Sequence, residues 1–199
     1  MKRVLQRGIG AAAVFILAAL VLLAAGRPAI ARVIAGVDVP PTVTLGSEEL
    51  VLNGAGIRVK LFMKIYVGAL YLKARQTSVD AVLSDPGAKR IVMNFLYKEL
   101  STKKLVDAWN TGFTNNSTPA EVKALQERIT RFNAMFDTVH RGDVIRLDYL
   151  PDAGTQVWIN DTLKGTVAGE DFSRALLRIW LGPKPPDVNL KNAMMGNAY

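Results

Sequence analysis

The sequence predicts an α+β domain with a mainly antiparallel sheet. Three observations carry that expectation. Segments with strand character come first, helical ones follow, strands return and a helix closes the order. The run Ile65–Leu72 is apolar at nearly every position, the pattern of a strand covered on both faces. The stretch 121–136 repeats apolar residues at helical spacing, with its charges mostly off that stripe.

In chain order, Val39-Pro40-Pro41 leads into an extended Thr42–Leu45. Leu50-Val51-Leu52 runs to an expected turn at Asn53-Gly54, after which Val59–Phe62 and Ile65–Leu72 continue the sheet. Ser78 is placed to cap a short helix over 79–84, ended by Pro86-Gly87. Lys89–Tyr97 alternates as a strand, with Ile91, Met93, Phe95 and Tyr97 on one face. Ser101 begins a helix marked by Val106, Trp109 and Phe113, which Asn115-Asn116 is expected to break. Thr118-Pro119 with Glu121 spells a capping box with Pro at the first helical position. The following helix turns Val122, Leu125, Ile129, Phe132 and Phe136 inward. Three short strands are expected over 143–149, 155–159 and 162–167, then a helix over 170–181 stopped by Gly182-Pro183. The tail holds a short helical segment over 190–195.

Residues 1–31 read as a signal for export. Lys2, Arg3 and Arg7 precede an uncharged run from Gly8 to Gly26, and Ala29-x-Ala31 supplies the small residues of a cleavage site before Arg32. The competing reading is an uncleaved anchor, since the apolar run is close to the length that spans a bilayer. The expectation is thus a signal peptide over 1–31 and one domain over 32–199, exported to a bacterial periplasm. The chain carries 25 basic and 17 acidic residues, net +8. Four of the basic residues lie in the signal, so the domain holds 21 against 17, net +4, without a basic run. That distribution argues against a nucleic-acid partner. With no cysteine, disulfides, thiol catalysis and Cys-ligated metals are excluded.

Little catalytic chemistry is legible. The lone histidine, His140, stands beside Arg141-Gly142 and reads as solvated or capping; neither a metal nor another cofactor is expected. No nucleophile elbow or phosphate loop is present. Glu48-Glu49 are strand neighbours and point to opposite faces. Arg58 is the residue of interest. It directly precedes a doubly covered strand, where an arginine needs a partner. Its planar fork suits a carboxylate, and Tyr66 on the next strand offers a hydroxyl. Two readings stay open: Arg58 and Tyr66 hold the head of an apolar acid, or Arg58 is satisfied by backbone carbonyls or by Glu49.

The segments Leu52–Arg58 and Phe62–Leu72, with Phe172–Gly182 near the end, resemble the chalcone isomerase-like superfamily over nearly all of residues 40–183. The resemblance implies an open-faced β-sandwich in which helices cover a large antiparallel sheet, with a ligand cleft between them. Plant chalcone isomerases close a flavanone ring. Their Arg corresponds to Arg58, their Thr to Tyr66, and their Tyr, Lys and Asn cluster falls near Leu105, Ala108 and Gly112, which cannot supply the same donors. An Arg followed by a Tyr instead resembles the non-catalytic fatty-acid-binding branch, where the pair grips a carboxylate. The resulting expectation is an exported, non-catalytic binder of a fatty acid or similar apolar acid, held by Arg58 and Tyr66 and walled by Leu70, Phe95, Leu105, Trp109 and Phe113. A membrane is expected to be met only through an uncleaved residue 1–31 segment. The alternatives are an isomerase or lyase of unknown substrate using the same cleft, and a partner-binding structural module.

Overall fold

A computed structural model of the chain describes residues 32–197. The expected export signal therefore lies outside the described residues.

Two short strands, β1 (Arg32–Ile34) and β2 (Val37–Val39), pair as a hairpin ahead of the main sheet. The sheet is an antiparallel meander of β3 (Thr42–Leu45), β4 (Glu48–Lys60), β5 (Met63–Leu72) and β6 (Lys89–Phe95). It is extended beyond β6 by β9 (Val144–Leu150), β10 (Gly154–Ile159) and β11 (Thr162–Val167). Helix α1 (Val79–Ser84) joins β5 to β6. Helices α2 (Thr102–Asn116) and α3 (Pro119–Asn133) are inserted between β6 and β9, flanked by the small pair β7 (Glu99–Leu100) and β8 (Val139–His140). Helices α4 (Glu170–Leu181) and α5 (Val188–Met194) follow β11. The architecture is α+β, with a curled sheet and helices over one face, as expected.

Both faces of β5 are covered. On the helical side Tyr66, Leu70 and Leu72 join Trp109, Phe113, Phe132, Phe172 and Trp180 in the larger core. On the opposite side Val67, Ala69 and Tyr71 pack with Val39, Leu45 and Leu50, and the β1–β2 hairpin closes over them. Tyr71 donates its hydroxyl to the Pro40 carbonyl at 3.0 Å, tying the lead-in to the sheet. Burial pushes this phenol up to about 12.

Asn53-Gly54 does not form a turn. Strand β4 runs straight through it, and the register slips by one residue between Leu52 and Gly54. Asn53 is the extra residue of this bulge. Its amide donates to the Met194 carbonyl at 2.8 Å and its carbonyl accepts the Gln76 N–H at 2.7 Å. Gly54 is there for close approach: a Cβ would stand 2.0 Å from the Ala193 carbonyl oxygen of α5. The turn instead falls at Leu61-Phe62, where both residues adopt positive φ, 48° and 66°. Such a two-residue turn is ordinarily built from Asn-Gly. Helix α2 continues to Asn116 rather than breaking at 115, because the Asn116 side chain is inward and bonds the Gly112 and Lys184 carbonyls. Ser101 occupies the cap position of α2 without a side-chain cap bond, whereas the capping box of α3 forms in full.

These local observations give a pair of stability predictions. Gly54→Ala should destabilise the fold by about 2–3 kcal/mol, since α5 must shift off the sheet. Leu61→Asn/Phe62→Gly should be at least neutral and stabilise by up to about 1–2 kcal/mol through relief of the left-handed backbone. Urea unfolding of the variants beside the parent chain reads both.

Candidate functional site

A cavity of about 470 Å³ opens between the β4–β6 end of the sheet and helices α2 and α4. That volume falls within the range of small-molecule sites, about 300–1,000 Å³. Arg58 and Tyr66 line it from the sheet, joined by Ile65, Met93 and Phe95. Leu105, Ala108, Trp109 and Gly112 line it from α2, and Ile179 and Trp180 from α4. Lys60, Lys104, Asp107 and Lys184 are the charged groups that join Arg58 in the lining.

A second bulge builds the sheet side. Arg58 pairs with Tyr66 and Val59 with Lys64, which leaves Ile65 as the extra residue on β5. Ile65 and Tyr66, though sequence neighbours, therefore both reach the helical-side core and both line the cavity. The Ile65 carbonyl accepts the N–H groups of Leu96 and Tyr97 at 2.8 and 3.1 Å, which holds the bulge against the end of β6.

Tyr66 is only 2% exposed. Its hydroxyl oxygen accepts the Trp180 indole N–H at 2.8 Å, a bond across 114 residues of sequence. With that lone pair committed, the phenolic proton is the free donor of the group. Burial pushes the phenol above its usual value, opposed by the positive charge of Arg58 and by the Trp180 bond. Tyr66 is thus a neutral hydrogen-bond donor at physiological pH.

The Arg58 guanidinium lies over the Tyr66 ring, 5.6 Å from its centroid. Its Nε is buried without a hydrogen-bond partner. Arg146 and Arg178 also bury an unpartnered Nε, but Arg146 has Asp161 at 3.5 Å and Arg178 has Glu121 at 2.9 Å as ion partners. Arg58 has no ion pair among the described residues, with Glu49 or any other acid. Asp187, whose charge also bears on Tyr66, is engaged by backbone donors. Its carboxylate accepts the N–H groups of Val59 at 2.8 Å, Asn189 at 2.8 Å and Leu190 at 3.1 Å. The Trp109 indole N–H, on another wall residue, likewise lacks a partner. Arg58, the Tyr66 hydroxyl and the Trp109 N–H thus bring a cation and hydrogen-bond donors to one cavity, whose lining combines these apolar walls with Asp107 and three lysines.

Of the residues expected from sequence, Arg58, Tyr66, Phe95, Leu105 and Trp109 meet in this cavity. Leu70 and Phe113 do not. Leu70 lies in the packed core, and Phe113 packs edge-on against Phe132 and tilted against Phe172, with centroids 6.1 and 5.8 Å away. Helical spacing put Trp109 and Phe113 on one buried face, but a turn of α2 separates cavity wall from core. Trp180, Ile179 and the rim lysines went unassigned, because nothing in the spacing within α4 indicates which strand it faces. Leu105, Ala108 and Gly112, where the resemblance places isomerase donors, all stand in the wall and contribute no polar side-chain atom. A side chain at 112 would also meet Ile179, whose Cγ2 stands 2.7 Å from a Cβ built there. His140 is exposed between Glu99 and Asp143, and is not among the cavity residues. Among the described residues no group of three or more His, Cys, Asp or Glu converges as a metal site.

A family model described as chalcone isomerase-like matches residues 31–196. Among solved structures, the crystal structure of a fatty-acid binding protein from Arabidopsis thaliana is similar with a TM-score of 0.68. The identity is 17%, over 84% of this chain and 97% of that one. No curated protein matches the sequence.

Tyr66→Phe should leave the Trp180 N–H buried and unpaired, at a cost of about 1–2 kcal/mol in urea unfolding. In a spectrophotometric titration at 295 nm the same variant should lose an ionisation step that lies above pH 10 in the parent. The sign follows from the raised value: the neutral phenol favours the fold below pH 10, and that contribution is lost as pH rises through the folded value.

Proposed function

The chain belongs to the chalcone isomerase-like family, and from that membership we propose that it is a non-catalytic binding protein for a fatty acid or similar apolar carboxylate, exported to a bacterial periplasm. The observation that carries the reading is Arg58: a guanidinium with a buried, unpartnered Nε at the wall of a mainly apolar cavity. A carboxylate there would accept charge-assisted bonds from Arg58 and a further bond from the Tyr66 hydroxyl. The alkyl chain would lie against Ile65, Met93, Phe95, Leu105, Trp109 and Trp180. Burying it displaces water from apolar walls, worth roughly 0.8 kcal/mol per methylene.

The wall also favours binding over turnover. Positions 105, 108 and 112 offer carbon where the resemblance puts the isomerase donors, so an oxyanion developing on a bound enone would find little of that stabilisation. Export rests on residues 1–31 alone, through the basic start, the apolar run and the Ala29-x-Ala31 site.

Palmitate binding by the purified chain, followed by native mass spectrometry and by Trp fluorescence, tests this reading. The parent should bind one palmitate. Arg58→Ala should stay folded and lose about 10- to 100-fold in affinity, as expected for removal of a charged hydrogen-bond donor. Arg58→Lys should fall between, since a point charge replaces a two-pronged donor. Equal affinity in the parent and Arg58→Ala would refute the assignment.

A further inference from the structure

The β4–β5 hairpin ends in an apolar tip that folding does not explain. Phe62 is 100% exposed, Leu61 76% and Met63 40%. Leu61 and Phe62 hold the two left-handed positions of the turn, at φ 48° and 66°. Bulky side chains are a poor choice there, and water gives them no compensation. Exposed lysines, Lys60 and Lys64, flank the three residues on either side. Neither is in an ion pair among the described residues. Lys60 also lines the cavity, where Lys104 and Lys184 are exposed and likewise without ion pairs.

We propose that this tip docks the protein on an anionic lipid surface, with Leu61, Phe62 and Met63 inserted at the headgroup–acyl boundary and the lysines against lipid phosphates. A three-residue protrusion suits a deformable interface, which closes around it, better than a rigid protein face. The lysine collar is complementary to anionic lipid and would repel the same collar on a second copy of a domain that is itself net positive, 21 basic against 17 acidic residues over 32–199. The arrangement brings the Lys60 side of the cavity to the membrane. This contact lies within the folded domain and is additional to any made by residues 1–31. It does not depend on which ligand the cavity takes.

The chain has no cysteine, so Phe62→Cys and, as a control, Leu163→Cys on edge strand β11 each accept one environment-sensitive NBD label in the full chain. On vesicles of phosphatidylglycerol and phosphatidylcholine, label 62 should shift to shorter wavelength and label 163 should not. Because the label reports only its own surroundings, membrane attachment through residues 1–31 does not mimic the signal. Lys60→Glu/Lys64→Glu in the labelled chain should weaken the vesicle dependence of the shift by at least roughly 30-fold, the loss expected from removing two positive charges alone. In the unlabelled chain, Leu61→Asn/Phe62→Gly should remain folded, keep its palmitate affinity in vesicle-free buffer and lose the difference in vesicle co-flotation between anionic and neutral lipid. Unchanged emission of label 62 on anionic vesicles would overturn the proposal. A shift equal on pure phosphatidylcholine and indifferent to the lysine reversals would overturn it too. Palmitate affinity without vesicles is read separately, so either conclusion can fail alone.

Discussion

An arginine held beside a mainly apolar cavity, with no ion pair among the described residues, is the constraint around which this end of the molecule is arranged. A cation in such a place is tolerated when its charge is met from elsewhere. Here Asp187, whose charge bears on the neighbouring Tyr66, is committed to three backbone N–H groups. That commitment has structural value of its own, since it caps α5 and ties it to β4. It also leaves Arg58 lying over the Tyr66 ring face with a buried Nε that has no hydrogen-bond partner. The same carboxylate turned onto Arg58 would give a closed ion pair and a site without appetite for an anion.

The backbone details serve this arrangement. Gly54 lets α5 settle on β4, and Gly68 does the same beneath Leu190, whose Cδ1 stands 3.1 Å from where a Cβ would be. The bulge at Ile65 brings two consecutive side chains to one face, so Tyr66 meets Trp180 while Ile65 walls the cavity. On the other face, Arg90 spans to Asp148 through paired bonds of 2.5 and 2.8 Å beneath the covered side of the sheet. The contrast is informative: Arg90 is closed by a cross-strand acid, whereas Arg58 is left open at a cavity.

Much of the fold was legible because it is written locally. The apolar run of β5, the alternation of β6 and the Thr118–Glu121 capping box each need only neighbours within a few residues. What escaped depends on partners far away in sequence. Asn53-Gly54 carries the usual signal of a hairpin, yet the close packing of α5, some 140 residues later, makes it a bulge in a continuous strand. The true turn, Leu61-Phe62, has none of the residues that announce one. Within the site, Arg58 and Tyr66 stood out by charge and position. Leu70 and Phe113 were indistinguishable from wall residues by periodicity alone. Trp180 needed the fold to show which tyrosine it meets.

The most direct test of the account is a crystal structure of the protein with palmitate bound. The account predicts a carboxylate within about 2.7–2.9 Å of the Arg58 guanidinium and within reach of the Tyr66 hydroxyl, with the alkyl chain running between the sheet and α2. A ligand lying reversed, its head at Lys104 or Lys184 and its tail against Arg58, would contradict it.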